Sequence, residues 1–446
     1  MFPKRSIDAK GDKDNNVPSS EVTSRSQNVA GCDNNIHSRR KKYETWIKNC
    51  PFLYDFLMTD ALEWPSLTCQ WLPKMTNGED EVQRLILGKC SDDSSDKEQP
   101  GPYDRDHSEL GGFSKIKSRI KITMRINHEG EVNKARYMPQ NPCLIATRTA
   151  RGDVLIFEIT RHSAVDARSG ECCPELRLRG HTKEGYGLSW NPNLNGHLLT
   201  SSDDQTICLW NVNKTPGENR CLFPETIFRG HSSIVEDVAW HQLNPHVFGS
   251  VGDDRKLLLW DIRRNTHKPF NSANAHEGEV NCISFSPFSE YIITTGGSDE
   301  TVALWDMRYI NIKLHKFEFH RGEIFQVKWS PHHETIFATS STDHKVAIWD
   351  LSRIGSDKTK RDEETGPPEL IFIHSGHDSM ISDFNWNTQI PWMFASVSED
   401  NIFQMWQVAE PIYENELFSK IIKEPNQVEP RNSGRRKVEK DKIRKL

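Results

Sequence analysis

An all-β ring is the architecture this 446-residue chain predicts: a seven-bladed propeller with an N-terminal α-helix and a degenerate first blade. Two spacings and a pattern of composition point to it. His128, His181, His231, His276, His320 and His377 are each followed, 29 residues on, by an aromatic residue: Phe157, Trp210, Trp260, Trp305, Trp349 and Trp406. In the last five of these units an Asp stands 23 residues after the His, at Asp204, Asp254, Asp299, Asp343 and Asp400. Between the fixed positions, short runs of β-branched and aromatic residues alternate with Pro, Asn and Gly, the pattern of strands and tight turns. A spacing kept six times across variable linkers is a repeat, not an accident of composition.

The elements follow in chain order. Residues 1–37 are polar and read as a disordered tail. A helix is expected within 38–60, centred on Lys41–Met58, where Tyr43, Trp46, Ile47 and Phe56 are apolar and Pro51 kinks or divides it. The propeller is expected over 61–412. Each unit supplies three strands after its His and a fourth before the next His, as in Gly185–Trp190, His197–Ser202, Thr206–Val212 and Glu225–Phe228. This is the grammar of a WD40 repeat, roughly 40–45 residues per blade. The recurring His, Asp and Trp fit a buried polar network that fixes a turn in each blade, so none of these histidines is offered as a catalyst or ligand. Little strand-like sequence follows Val408, so the last unit lacks an outer strand. Trp64–Pro73 is expected to supply it and so tie the two ends of the ring together. Glu81–Lys89 and Arg119–Ile126 then belong to the degenerate blade. Residues 413–446 form a basic C-terminal tail.

Charge is unevenly spread. Residues 1–45 hold nine basic and six acidic side chains, 411–446 hold ten and six, and the body between holds 38 and 51. An acidic body points to a positively charged partner. The basic runs Ser38-Arg39-Arg40-Lys41-Lys42 and Arg435-Arg436-Lys437 read either as nuclear import signals or as solvated charge on tails. No run reaches the ~18 apolar residues of a membrane helix, and the N-terminus lacks the apolar stretch of a secretory signal. The ten cysteines show no zinc spacing, which fits free thiols in a reducing compartment; no cofactor or metal is expected.

Function would sit at the mouth of the ring, where the residues after each His enter the innermost strands. Three positions on stand Glu131, Glu184, Ile234, Glu279, Glu323 and Met380; five positions on stand Asn133, Tyr186, Glu236, Asn281, Phe325 and Ser382. Five glutamates from five consecutive blades point to one end of the channel, with no Lys or Arg among the twelve positions. Such a ring suits an extended basic peptide; the bland alternative is ordinary surface glutamate. A second candidate is the insertion Ser356–Pro368, with Asp362, Glu363, Glu364 and Pro367 ahead of Leu370-Ile371-Phe372-Ile373. It reads either as a clamp for a basic amphipathic helix against the N-terminal helix or as an exposed loop before an outer strand.

Several strings are more specific than the repeat itself. Pro51-Phe52-Leu53-Tyr54-Asp55, Leu62-Glu63-Trp64-Pro65-Ser66-Leu67-Thr68, Ile126-Asn127-His128-Glu129-Gly130-Glu131-Val132-Asn133 and Lys183-Glu184-Gly185-Tyr186-Gly187-Leu188-Ser189-Trp190 resemble the retinoblastoma-binding histone-chaperone family of WD-repeat proteins. Tyr137-Met138-Pro139-Gln140-Asn141-Pro142 and Gly366-Pro367-Pro368-Glu369-Leu370 do so too, and the resemblance spans roughly 43–412. It implies a nuclear histone-binding scaffold, a chromatin regulator shared among chromatin assembly, histone deacetylase, remodelling and Polycomb repressive complexes. It implies an H3-tail site at Glu131, Asn133, Glu184, Tyr186, Glu236, Asn281, Glu323, Phe325 and Glu399. It also implies a groove for the first helix of histone H4 at Tyr43, Trp46, Ile47, Asp362, Glu363, Glu364, Pro367, Phe372 and Ile373. The chain departs from the family in its basic start to the helix, in a polar Ser91–Asp106 where another apolar strand belongs, and in its basic C-terminal tail.

Enzyme chemistry finds no foothold: there is no phosphate-binding Gly-rich loop, nucleophile elbow or His-Glu-x-x-His. The rival reading is also an interaction role. Trp260-Asp261-Ile262-Arg263 and Trp305-Asp306-Met307-Arg308 resemble the Trp-Asp-x-Arg signature of substrate receptors for cullin-type ubiquitin ligases, with Arg263 and Arg308 as adaptor contacts. Sequence-specific DNA binding is not expected, because an acidic body repels phosphate.

Overall fold

The computed structural model describes residues 45–73, 84–88, 122–162, 171–264, 268–356 and 366–414. The chain divides into two units, residues 1–49 and 50–446. Of the first, the described residues 45–49 are helical, with Trp46 buried. Helical backbone ends at residue 53.

The second unit is an all-β WD-repeat propeller. Among the described residues it holds six sheets of four or five strands and one two-stranded ribbon. Sheets I to VI begin with the innermost strands Val132–Met138, Leu188–Trp190, Val235–Trp240, Val280–Phe285, Ile324–Trp329 and Ile381–Trp386, and each of these touches the next. Three strands precede sheet I: β1 (Tyr54–Ala61), β2 (Cys69–Leu72) and β3 (Arg84–Leu87).

Closure differs from the sequence expectation. The outer strand of sheet VI is β1, not Trp64–Pro73; it pairs antiparallel with Ile402–Val408, from Tyr54↔Val408 to Ala61↔Ile402. The expected helix over 38–60 therefore fails for residues 54–60. The edge of Ile402–Val408 offers these residues hydrogen bonds, and the pairing buries Tyr54, Leu57 and Met58. Trp64–Pro73 instead provides β2, which pairs with β3 in the register Cys69↔Leu87. This ribbon lies between sheets VI and I. On one side the Cys69 N–H donates to Asp383 Oδ2 (3.0 Å) and the Trp71 Nε1–H to the Asn385 carbonyl (3.2 Å). On the other, the Ala135 N–H donates to Thr68 Oγ1 (3.2 Å) and the Tyr137 N–H to Gln70 Oε1 (2.9 Å). Of the strands expected with it, 122–126 is not strand, while 81–83, 89 and 119–121 lie outside the described residues. Six full sheets thus stand where seven blades were expected.

The repeat spacing has a plain structural cause in sheets II to V. In sheet III the Trp260 Nε1–H donates to Ser250 Oγ (2.8 Å), Ser250 lies 2.7 Å from His231 Nε2, and His231 Nδ1 lies 2.9 Å from Asp254. A hydroxyl that accepts from Trp donates onward to the imidazole, which leaves Nδ1–H for the carboxylate. Asp254 also accepts from the Ser232 N–H, so one chain of donors staples two turns to the buried middle of the sheet. His181, His276 and His320 repeat the arrangement with Thr200, Thr295 and Thr339. Sheet VI inserts Ser398 between His377 and Asp400. Sheet I has Thr147 on His128, but Phe157 offers no N–H.

The channel carries its own ion pairs. Asp383, 1% exposed, meets Lys328 Nζ at 2.7 Å and Arg136 Nη2 at 2.9 Å, while Lys134 reaches Asp237 at 3.4 Å. Arg136 also donates to Thr68, so Asp383 and its partners bind sheets I, V and VI to β2. Burial would raise the Asp383 carboxyl, but Arg136 and Lys328 hold it well below the usual carboxylate range. Burial brings Lys328 down to about 8.

Candidate functional site, an acidic mouth

The mouth is built by two kinds of turn that meet in every sheet. The residue three after the His accepts a backbone hydrogen bond from the residue 22 after it, in the hairpin between the second and third strands. The pairs are Glu184 with Asp203 (3.0 Å), Ile234 with Asp253 (3.1 Å), Glu279 with Ser298 (2.8 Å), Glu323 with Thr342 (3.0 Å) and Met380 with Glu399 (3.1 Å). Side chains from the two turns therefore share one surface. That brings in Asp203 and Asp253, which the sequence reading missed. Their signal was present: each repeat Asp at 204, 254 and 400 is preceded by a second acid.

The carboxylates act on one another. Burial comes first in raising Tyr186, followed by Glu184, Glu236, Asp203 and Glu131. Burial and then Asp253, Asp203 and Glu279 push Glu236 up to about 8. Asp253, hydrogen-bonded to Glu236, is raised to about 6 by burial and Glu279. Asp203 rises by burial and Glu184, an effect that Lys183 and Arg148 partly offset. Glu131, Glu184, Asp203, Glu236, Asp253 and Glu279 thus form one acid cluster across sheets I to IV, with Tyr186 among them. A cation entering it would find carboxylates already desolvated and in need of a counter-charge.

Arg148 holds the floor. Fully buried, it donates to the carbonyls of Gly185 (3.3 Å), Gly152 (3.1 Å) and Ser201 (2.8 Å), joining sheets I and II below Tyr186. Burial lowers it to about 10. Gly185 is required here, because a Cβ would lie 2.3 Å from the Ser201 carbonyl and 2.6 Å from the guanidinium.

The other expected mouth residues divide. Asn133 is buried and its amide donates to the Gly185 carbonyl (3.5 Å), while the Asn281 amide donates to the Ile324 carbonyl (3.1 Å). Both bridge neighbouring sheets, so their donors are spent within the ring and their Oδ1 atoms face a ligand's donors. Glu323, Phe325 and Glu399 hold the equivalent turn and strand positions of sheets V and VI, with Glu323 and Glu399 exposed.

A family model described as histone-binding protein RBBP4, or its counterpart in the CAF1 complex, matches residues 41–99. The WD domain, G-beta repeat, matches 172–211, 223–261, 267–306 and 311–350. The chain belongs to the RBBP4-like family of histone-binding WD-repeat proteins. The four matched repeats end in sheets II to V, the sheets with the complete His, Ser/Thr, Trp and Asp network. The RBBP4-type match covers the stretch that includes β1, β2 and β3.

Elsewhere on this RBBP4-like chain the sequence candidates fare unequally. Tyr43, Asp362, Glu363 and Glu364 lie outside the described residues, as do the basic runs 38–42 and 435–437. Leu370–His374 forms the outer strand of sheet V, the simpler of the two readings of that segment. Phe372 is buried edge-on against Tyr54 (5.5 Å), whose hydroxyl lies 2.8 Å from His374 Nδ1; Ile373 and Pro367 are partly exposed. Arg263 and Arg308 are each clasped by the Asp of their own Trp-Asp pair, at 2.7 Å to Asp261 and 2.6 Å to Asp306. Arg308 also lies 4.0 Å over the Tyr291 ring. Among the described residues no group of His, Cys, Asp or Glu stands together as a metal site.

Proposed function

We propose that this protein is a nuclear histone-binding scaffold subunit of chromatin assembly and modifying complexes, without catalytic activity. It takes the H3 tail, or a similar Arg/Lys peptide, at the acidic mouth. The observation that carries this is the rise of Glu236 and Asp253 above the ordinary carboxylate range, caused by burial beside other carboxylates. A cluster of this kind is satisfied by a cation from outside. Tyr186 and Phe325 offer flat surface to the aliphatic stem of such a side chain.

The H4 first helix binds on the side of the ring, a reading supported by the RBBP4-type match over 41–99 and by partly exposed Ile373 and Pro367. The ribbon β2–β3 takes the place of a seventh, degenerate blade, supported by its hydrogen bonds to both neighbours. Calorimetric titration with an H3 N-terminal peptide and, separately, an H4 first-helix peptide tests both sites. Glu184→Gln is expected to weaken H3 binding roughly tenfold, the loss of one charge-assisted contact, and Ile373→Glu to spare it. Folded protein that binds neither peptide ends the histone reading. The ligase-adaptor reading then comes forward, favoured by half-exposed Arg308 stacked on Tyr291 beside exposed Phe288 and Tyr309.

A further inference from the structure

Beside the acid mouth, at the same end of sheet I, lies a cavity of opposite character. It measures about 450 Å³ and is lined by Glu129, Thr149, Arg151, Asp153, Arg177 and Arg179. Arg177 is its fixed wall: Nη2 lies 2.5 Å from Glu129 Oε1, and Nη1 donates to Glu129 Oε2 (2.8 Å) and Asp153 Oδ2 (3.0 Å). Both lining carboxylates are thereby committed to Arg177. Arg179, about half exposed, reaches Asp153 only at 3.6 Å, and among the described residues Arg151 forms no ion pair. Three guanidinium groups against two carboxylates leave positive charge over, held by two arginines whose donors are mostly unspent.

The position of the cavity matters as much as its charge. Glu129 lines it and Glu131 belongs to the acid cluster, two residues on, a span of at most ~7 Å along the chain. A ligand that meets one is in reach of the other. We infer that the cavity takes a phosphorylated side chain of a basic peptide whose Arg or Lys occupies the neighbouring mouth, an inference that rests on the peptide reading of that mouth. The forked donors of Arg151 and Arg179 match a phosphate's oxygens, and a phosphoryl group brings about −1.5 to −2 charge at pH 7. Nucleic acid offers the same phosphate, but as an unbroken anionic strand that would meet Glu131, Glu184 and Asp203 next door. A peptide alternating cation and phosphate satisfies both patches.

The test uses the full chain and an H3 N-terminal peptide, unmodified or carrying one phosphothreonine at each threonine in turn, read by fluorescence anisotropy. For at least one position the phosphate is expected to tighten binding about tenfold, the worth of one or two new charge-assisted hydrogen bonds. The double variant Arg151→Ala/Arg179→Ala should lose that gain yet hold the unmodified peptide as before, with an unchanged melting temperature. Phosphate that weakens binding, or leaves it unchanged, at every position overturns the proposal. A gain that survives in the double variant does so too, and so does a short DNA duplex that displaces the phosphopeptide through these same arginines. Wild-type protein that ignores the unmodified peptide but takes the phosphopeptide through Arg151 sinks the mouth reading and leaves the cavity standing. Protein that takes neither sinks both.

Discussion

Two carboxylate sites withdrawn from water sit in this ring, and they are solved in opposite ways. In the channel, Asp383 has Lys328 and Arg136 within 2.9 Å and the Cys69 N–H at 3.0 Å, and its carboxyl stays well below the usual range. At the mouth, Glu236 and Asp253 are met foremost by further carboxylates and are driven up. The chemistry is the same; the difference is whether the fold supplies the cation. Where it does, the acid is a fastening, here one that ties the ribbon β2–β3 to sheets I, V and VI. Where it does not, the acids burden the folded state until a partner brings the charge, which is how a binding site differs from a buried salt bridge.

The largest effect expected from breaking this contrast is at the fastening. Asp383→Ala strips two buried cations of their partner and removes the acceptor of the Cys69 N–H. A loss of about 3–5 kcal/mol is expected, read by chemical denaturation. A loss below ~1 kcal/mol would mean that the ribbon does not depend on this cluster. Next comes the repeat network. Asp254→Ala unties the His231 imidazole and the Ser232 N–H in sheet III, and should cost about 1–3 kcal/mol. The cost should be smaller at Asp400, where Ser398 still holds His377.

These two sites were not equally legible in the sequence. The network announced itself, because a hydrogen-bonded chain of His, Ser/Thr, Trp and Asp fixes sequence spacing, and spacing survives in a string of letters. The channel cluster did not. Lys328, Arg136 and Asp383 come from three sheets, and nothing local marks them as neighbours. Closure was half legible: a missing outer strand was inferable from the end of the chain, but not that Tyr54–Ala61 would fill it, since those residues read equally well as the end of a helix. The mouth lay between these cases. Its first-strand glutamates followed from the repeat, whereas Asp203 and Asp253 reach the same surface only because a hairpin turn folds over it.

The smallest expected effect is the one that separates the two sites most cleanly. Glu236→Gln keeps shape and hydrogen-bonding ability but removes the titrating charge. Because the folded-state value is raised, the native protein holds its proton more tightly than the unfolded chain. The wild type therefore gives up stability as pH climbs from the ordinary carboxylate range toward about 8. The Gln variant gives up less, so it should melt level with wild type near pH 5 and slightly above it near pH 8. The corresponding Asp383→Asn should melt lower at both, since its depressed carboxyl is ionised throughout that window. Binding runs the other way. A basic peptide favours ionised carboxylates, so its affinity for the wild type should rise from pH 5 to pH 8 with release of protons, measurable by titration in buffers of different ionisation enthalpy. Glu236→Gln should flatten that rise. If instead the variant melts below wild type at pH 8 and the peptide affinity is level with pH, Glu236 already has its counter-charge inside the fold, and the two carboxylate sites are alike after all.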